Sequence, residues 1–566
     1  MADMDLNDLY SQSWLEGPFG NADATRVNLQ EFISVDGVMI APRLNSNAMA
    51  ERIIVGRKGS GKTLYLRSIK SEAAKRQFIS FEQIDDINTE IVLFAHDFAR
   101  DYISKSYSGA FDFYIDQRSA LSSFWKLLWE RAILLSVVSL IYAKKSSDGE
   151  TENHFPNDAV LSRQQFFARF GDIAKQTENP ISPSAWLKEM VSDLSTPSMR
   201  RMGSDSVHWE DMQRSIVTSL TKIPPVAIYI DALDDYFEEA PEAWFICQAG
   251  LFRAIFQFLY SRTEMGNRLH IVATVRDIVF SSILKTEHGN RFITDEHIKM
   301  LDWASPHIRY FLSEKIRKIS KKPRMPSIED WIGLESVYVP SRKRSERVTE
   351  YILRHTRMIP RDIVIVGNAI ASEIFSRKSL QDKTFSEGAL RKQIAVVSCS
   401  FANESLRLCA NELLMSSEEF VEFFRPPAEH EETGLKISSE EIRGELEKLK
   451  VDLRQSLIDR MRHMIKGVNK ETFTFDQLKE SIIEAKLGHE VDFKEGVNTA
   501  FRLDNILWRH GLLAYQARAG TSLKWRFNWR GTLEAESLPT GERMYGFHPC
   551  IQELFRLEVT SDGPVY

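Results

Sequence analysis

The stretch that decides the fold is ERIIVGRKGSGKTLYLRSI, which runs from Glu51 to Ile69. Within it, Gly56–Thr63 reads GRKGSGKT and matches the pattern G-x-x-x-x-G-K-[ST] in full. The apolar segment Ile53–Val55 precedes the glycines, and a helical pattern begins at Thr63. This order of strand, glycine-rich loop and helix predicts a phosphate-binding loop.

Each residue type in this loop has a physical role in nucleotide binding. Glycines let backbone N–H groups turn towards phosphate oxygens, and the N-terminus of the following helix favours an anion. Lys62 is predicted to place its charge on the β- and γ-phosphates, and the Thr63 hydroxyl is predicted to bind Mg²⁺. The predicted nucleotide-binding positions are Gly56, Arg57, Lys58, Gly59, Ser60, Gly61, Lys62, Thr63 and Leu64.

A second predicted strand ends in carboxylates. Val226–Ile230 reads VAIYI, and Asp231 follows it directly. A phosphate-binding loop needs such a carboxylate for Mg²⁺, so Asp231 is the predicted metal ligand. Asp234 and Asp235 follow, and one of them, with Asp235 preferred, is expected to orient or deprotonate the attacking water. The sequence does not decide between these two acids, and both also suit the cap of the next helix.

A third predicted strand begins at His270 and ends in an arginine, Arg276. An arginine there is expected near the γ-phosphate, where it stabilises transition-state charge or reports hydrolysis. The alternative is an ion pair with Asp277. A further strand is predicted over Glu90–Phe98 and a helix over Ala243–Tyr260. Strands that alternate with helices predict an α/β fold with a doubly wound, mainly parallel sheet.

Composition restricts the class of protein. The chain has 566 residues, of which 43% are hydrophobic and 27% charged, so it is long enough for several globular domains. Its formal net charge of -6 argues against nonspecific nucleic-acid binding by the whole molecule. The four scattered cysteines, the absence of a signal-peptide pattern and the shortness of the apolar stretch Ala132–Ala143 indicate a cytoplasmic protein without a membrane segment.

The motifs, in this order, resemble the STAND class of signal-transducing P-loop NTPases, which are relatives of AAA+ proteins. The run Asp231–Asp235, DALDD, is similar to that of NACHT-type members, although Asp235 stands where glutamate is usual. FGNADA at Phe19–Ala24 and RMIPRD at Arg357–Asp362 resemble segments of poorly characterised bacterial ATPases that often occur in anti-phage defence loci. The resemblance covers mainly residues 15–375.

This resemblance implies an ATP- and Mg²⁺-dependent conformational switch, with a homo-oligomer or a separate effector protein as partner. It also implies that Arg361 reaches the nucleotide from a helical lid as a second sensor, for which surface salt bridging is the alternative. The predicted domains are an N-terminal arm (1–48), a P-loop NTPase core (49–320), a helical lid (321–430) and a long helix with a winged-helix-like domain (431–566).

The C-terminal third is predicted to be largely helical, with helices over Tyr351–Arg377, Gly388–Arg425 and Glu440–Lys466. Near its end, a helix followed by two short strands resembles a winged helix, which either contacts DNA or packs against protein. DNA remains possible there because Asn498–Arg530 has one acid, Asp504, against six basic residues. These are Arg502, Arg509, Arg518, Lys524, Arg526 and Arg530.

Three activities therefore stay open. The first is the nucleotide-driven switch, and the second is a DNA-associated ATPase that loads or remodels. The third is a scaffold that binds nucleotide with little turnover, which the aspartate at Asp235 favours. The lack of an N-K-x-D motif favours ATP over GTP. Basic clusters at Lys315–Arg324 and Arg342–Arg347 suit either solvent or a phosphate-bearing partner.

Overall fold

A computed structural model describes the greater part of the chain. The described residues are 12–29, 32–39, 51–75, 79–83, 91–96, 99, 117–147, 181–193, 213, 216–217, 220, 225–231, 240–260, 268–284, 289–320, 327–379, 385–415, 439–493, 502–519, 522–527, 537–541 and 544–557. The chain divides into two compact units. The α/β unit contains residues 41–56 and 65–300, and the helical unit contains residues 1–40, 57–64 and 301–566.

The regular elements are as follows. The strands are β1 Glu16–Gly17, β2 Gly20–Asn21, β3 Ile53–Gly56, β4 Ile79–Gln83, β5 Val226–Ile230, β6 Leu269–Arg276, β7 Ile298–Met300, β8 Ser336–Val339, β9 Arg344–Arg347, β10 Thr472–Phe473, β11 Leu513–Ala519, β12 Ser522–Phe527 and β13 Tyr545–Phe547. The helices are α1 Gln12–Leu15, α2 Lys62–Ala74, α3 Gln117–Ser147, α4 Pro183–Asp193, α5 Pro241–Tyr260, α6 Asp277–Leu284, α7 Ser305–Ser320, α8 Ile328–Ile332, α9 Val348–Arg354, α10 Pro360–Ser379, α11 Glu387–Met415, α12 Ser439–Val468, α13 Phe475–Glu484, α14 Leu503–Arg509 and α15 Pro549–Phe555.

The α/β unit is built on a parallel sheet in the order β4-β5-β6-β3-β7. Strands β3, β5 and β6 are buried along their whole length, as expected for strands covered on both faces. Alternate residues of each strand, such as Val55, Ile230 and Val275, join one apolar core with helices α3 and α5. The intervening residues therefore face the other side of the sheet. The predicted α/β class and its parallel sheet are confirmed.

Among the described helices, α5 has the composition that most resembles a membrane-spanning helix. Its segment Ala243–Tyr260 is long and apolar enough to cross a membrane, yet 78% of it is buried inside the protein. It packs against α3, where Trp129 Nε1 donates to the Cys247 carbonyl at 3.1 Å. Packing in the core thus accounts for its apolar surface.

In the helical unit, the N-terminal arm is held by α10. Phe19 is fully buried, 5.3 Å from the ring of Trp331, and lies so close to Gly367 that a Cβ there would be 2.4 Å from Phe19 Cδ1. Asn368 accepts from the Phe19 amide at 2.8 Å. Its own amide donates to the carbonyls of Trp14 and Gly20, both at 3.0 Å. The arm is therefore an integral part of this unit.

The C-terminal residues form a second, antiparallel sheet in the order β10-β13-β11-β12. Helix α14 precedes the β11–β12 hairpin, so the predicted order of helix and two strands is confirmed, and α12 confirms the predicted long helix. The basic segment from Arg342 to Arg347 lies in the β8–β9 hairpin, and Arg342 pairs with buried Glu471.

Two of the predicted elements are wrong. The apolar run predicted as a strand over Glu90–Phe98 is helical at residues 91–96, and β4 takes its place in the sheet. The helix predicted over Tyr351–Arg377 is divided into α9 and α10 by a turn at residues 355–359. Pro360 explains this break, because proline disfavours a helical residue before it and starts helices well.

The bounds of the two compact units differ from those of the predicted domains. Residues 301–320 belong to the helical unit, although the predicted P-loop core extends to residue 320. The loop residues 57–64 also group with the helical unit, whereas the strand before them belongs to the α/β unit. The two ends of the glycine-rich loop are thus two of the four points at which the chain passes from one unit to the other.

Candidate functional site

The glycine-rich loop has the predicted order of elements. Strand β3 ends at Gly56, and α2 begins at Lys62, which is 6% exposed. Between them, Gly59 has φ +82° and Gly61 has φ +95°, in the region that L side chains rarely adopt. These two positive φ angles turn the loop back on itself at the N-terminus of the helix.

Hydrogen bonds within the helical unit hold the loop in this shape. Trp303 Nε1 donates to the Ser60 carbonyl at 2.8 Å, and the Arg361 amide donates to the Gly59 carbonyl at 3.4 Å. The Lys62 amine donates to the Arg57 carbonyl at 3.0 Å, so this charge lies over the loop that precedes its own helix. These three hydrogen bonds thus fix the conformation of the loop.

Replacing Gly59 by alanine is expected to lower stability. A Cβ there would lie 2.9 Å from Ile359 Cδ1 and 3.2 Å from Arg361 Cβ, and the backbone would keep φ +82°. Strain at such an angle and the crowding together predict a loss of about 1–3 kcal/mol in the free energy of unfolding, measurable by denaturant titration. Gly333→Ala is the matched control because it has φ +81° with no atom within 4 Å. Equal losses in the two variants would leave strain alone as the cause.

The turn at residues 355–359 leads into α10 and ends at Ile359, one of the two residues that lie beside Gly59. Met358 has φ +56°, which costs free energy for a residue with a side chain. The Arg357 amide donates to Asp362 Oδ2 at 2.8 Å. The backbone amide of Cys550 donates to His548 Nδ1 at 3.1 Å, and His548 Nε2–H donates to the Thr356 carbonyl at 3.1 Å. Burial lowers the pKa of His548 to about 3, which keeps the ring neutral.

The sheet brings two predicted residues to one edge of the α/β unit. Asp231 directly follows β5 and is 4% exposed, and the Thr274 hydroxyl donates to its Oδ1 at 2.8 Å. Arg276, the last residue of β6, is 5% exposed and pairs in register with Gly56. Because Thr274 and Arg276 are two residues apart, they lie on the same face of the sheet as Asp231. Polar side chains thus lie at the carboxyl ends of β5 and β6.

The helix after the loop is anchored by a buried pair. Tyr65 Oη donates to both carboxylate oxygens of Glu51, at 2.8 and 2.9 Å. Burial raises the pKa of the Glu51 carboxyl, and burial together with the Glu51 charge raises the pKa of Tyr65. The pair connects the first turn of α2 to the segment that leads into β3.

Arg361 and Arg357 contact a buried carboxylate. Arg361 Nη1 donates to Glu404 Oε1 at 3.2 Å, and Arg357 Nη2 lies 3.4 Å from Glu404 Oε2. Arg357 also forms a two-pronged pair with Asp362, at 2.9 and 3.0 Å. Arg361 therefore forms a salt bridge, but with a buried carboxylate and not at the surface as the alternative had it, and its sensor role stays a prediction.

The structure describes four of the remaining predicted residues and does not describe the other two. Thr63 and Leu64 are half-buried in the first turn of α2, and Arg57 and Lys58 are half-buried in the loop. The predicted catalytic acids Asp234 and Asp235 lie outside the described residues.

Sequence reasoning gave no role to two groups at the site. Gln248 of α5 accepts from the Arg276 amide at 2.9 Å, and the indole of Trp303 supports Ser60 as described above. A signal existed for Gln248, because an amide in the apolar run FICQAG must find a buried partner. None existed for Trp303, whose contact spans 243 positions of sequence.

Two of the six C-terminal basic residues are paired inside the helical unit. Arg509 is buried and donates to Glu412, which also contacts His510 Nε2 at 2.8 Å. Arg502 donates to Asp504 at 2.6 and 2.9 Å and lies 4.6 Å from the ring of Phe493. Arg526 is exposed. The side chains of Arg518, Lys524 and Arg530 lie outside the described residues.

Replacing Arg509 by methionine is expected to destabilise the protein because it removes the guanidinium that faces the buried carboxylate of Glu412. Loss of one partner of a buried pair costs about 3–5 kcal/mol, whereas neutralising both costs less. Urea denaturation of Arg509→Met and of the double variant with Glu412→Gln tests this order. A single variant as stable as the wild type would show that the pair has no structural role.

The oxygen donors at Asp231 and Thr63 are of the kind that Mg²⁺ prefers. Among the residues that the structure describes, no three His, Cys, Asp or Glu side chains are grouped to hold a metal ion. No model of a known protein family matches the chain, and searches of curated proteins and of solved structures returned no match.

Proposed function

We propose that the chain is an ATP-binding and ATP-hydrolysing conformational switch with a P-loop NTPase core. The observation that carries the proposal is the conformation of residues 56–63. A buried strand leads into a loop with two glycines at positive φ, and Lys62 is the first residue of the following helix. Backbone amides in such a turn, with a helix N-terminus behind them, bind phosphate.

The other residues have complementary roles in this proposal. Lys62 neutralises charge on the β- and γ-phosphates, and the Thr63 hydroxyl and the Asp231 carboxylate are each a candidate ligand for Mg²⁺, directly or through water. When bound, the metal supplies a positive charge that stabilises the phosphate oxygens during transfer. Thr274 orients Asp231, and Arg276 stabilises the charge that develops on the γ-phosphate. Asp234 or Asp235 orients the attacking water.

Phosphate release by the purified protein tests this proposal. It is measured with ATP and with GTP, in Mg²⁺ and in EDTA, beside nucleotide binding by calorimetry. Turnover with ATP that requires Mg²⁺ supports the switch. Tight ATP binding without turnover supports the scaffold, and no binding of either nucleotide would overturn the proposal.

A DNA-associated ATPase is the second candidate. It is favoured by the order of α14 and the β11–β12 hairpin, which suits a winged helix, and by the exposed Arg526. The internal pairing of Arg502 and Arg509 reduces the basic surface that is available to phosphates. DNA-stimulated turnover that falls steeply with salt would favour this candidate over the switch.

The biological setting is proposed only from the family resemblance. It consists of a cytoplasmic bacterial anti-phage defence complex in which this chain supplies the ATPase and a separate protein the effector. A homo-oligomer is part of the same proposal. Light scattering with and without ATP tests the oligomer.

A further inference from the structure

Gln248 is a fully buried amide in an otherwise apolar part of α5. Burying an amide costs free energy unless its polar atoms form hydrogen bonds. The side-chain oxygen of Gln248 accepts a hydrogen bond from the backbone N–H of Arg276 at 2.9 Å. A helix side chain thus bonds to the main chain of the last residue in a central strand.

The pairing of the strands explains why this bond is needed. The Ala273 amide donates to the Arg52 carbonyl, on the β3 side of β6. Amides alternate in direction along a strand, so the Thr274 and Arg276 amides point to the β5 side. Strand β5 ends at Ile230, whose partner in register is Ala273. The ladder therefore stops before Arg276, and Gln248 supplies the acceptor there.

We propose that Gln248 is a positioning residue for the arginine at the carboxyl edge of the sheet. By extending the hydrogen bonding of β6 past the end of β5, it fixes the backbone from which the Arg276 side chain leaves. It thereby holds this side chain in register with Gly56 and on the face of Asp231. The inference rests on the proposed function, because Gln248 acts on the reaction only through Arg276.

Two substitutions at this position separate the hydrogen bond from packing. Gln248→Met has a similar size but no oxygen acceptor, and Gln248→Glu keeps one. We expect Gln248→Met to lower kcat about tenfold, since small misplacements of a catalytic group have effects of this size or larger. ATP affinity is expected to change little, and Gln248→Glu to recover most of the turnover. Cys247→Ala, a truncation at the neighbouring buried position, is the control and should keep wild-type kcat.

Combination with Arg276→Ala tests whether the effect passes through the arginine. If it does, adding Gln248→Met to Arg276→Ala lowers kcat no further, because the residue being positioned is already gone. Multiplying effects would show a general structural defect and overturn the inference.

Amide exchange without nucleotide provides a readout that does not depend on turnover. The Arg276 amide should exchange faster in Gln248→Met than in wild type or Cys247→Ala, as read by fragment-resolved mass spectrometry. Unchanged exchange would overturn the positioning role whatever the activity. A wild-type protein that neither binds nor hydrolyses ATP would overturn the proposed function and, with it, any role of Gln248 in the reaction. This holds even if the Arg276 amide exchanges faster in Gln248→Met.

Discussion

Replacing Lys62 by alanine is expected to lower the rate of phosphate release at least about 100-fold, the effect typical of losing a preorganised charge on a developing anion, and to weaken ATP binding. The amine is buried and donates to the loop carbonyl of Arg57, so its charge is already confined to the loop before nucleotide arrives. Steady-state phosphate release and calorimetric titration with ATP measure the two effects.

The matched control is Lys75→Ala, the same substitution directly after the end of α2. Lys75 is exposed and pairs only at the surface with Glu72, so we expect normal turnover from this variant. Thermal unfolding must show that Lys62→Ala is folded. A folded Lys62→Ala protein that still binds and hydrolyses ATP would contradict the assignment of the loop.

Replacing Asp231 by asparagine is expected to reduce turnover at least about 100-fold, because the variant loses the charge proposed to hold Mg²⁺. Asparagine has nearly the same shape, and its side-chain oxygen still accepts a hydrogen bond from Thr274, so the fold should be kept. ATP binding in EDTA should equal that of the wild type, whereas the gain in affinity on adding Mg²⁺ should shrink. The measurements are turnover and calorimetry at several Mg²⁺ concentrations.

Asp295→Asn is the control for this charge removal. Asp295 also accepts from a hydroxyl, that of Tyr260, and from the backbone amide of His297, but it precedes β7 and has no proposed role in binding. If Asp295→Asn and Asp231→Asn lost turnover equally, the loss would reflect general destabilisation and Asp231 would no longer be the candidate metal ligand.

The parts of the site that could be predicted from sequence are those encoded locally. Asp231 was predictable because a short apolar strand is followed at once by acids. Arg276 was predictable for the same reason, as a charged residue that ends an apolar run. The loop was predictable because its glycines, lysine and threonine have fixed spacing. In each case the signal and the structure lie within a few residues of each other.

The remainder depends on contacts between distant residues. Arg509 reads as a surface cation in the sequence, and only Glu412, 97 positions away, makes it a buried one. The apolar run at Glu90–Phe98 has a length that suits either a strand or a helix, so tertiary packing decided it. Gln248 is visible as an unusual residue, but its partner is a backbone amide, which carries no sequence signal.

The arm bound by Asn368 has a consequence for the order in which the protein folds during synthesis. Phe19 and Asn368 are 349 positions apart, and the helical unit combines the first 40 residues with residues from 301 onwards. Every residue of the α/β unit lies before residue 301, so a ribosome can complete its sequence before the residues that bind the arm are made. During that interval the residues of α10 that surround the Phe19 side chain have not yet been synthesised. The growing chain therefore carries the Phe19 side chain exposed to solvent until α10 has emerged.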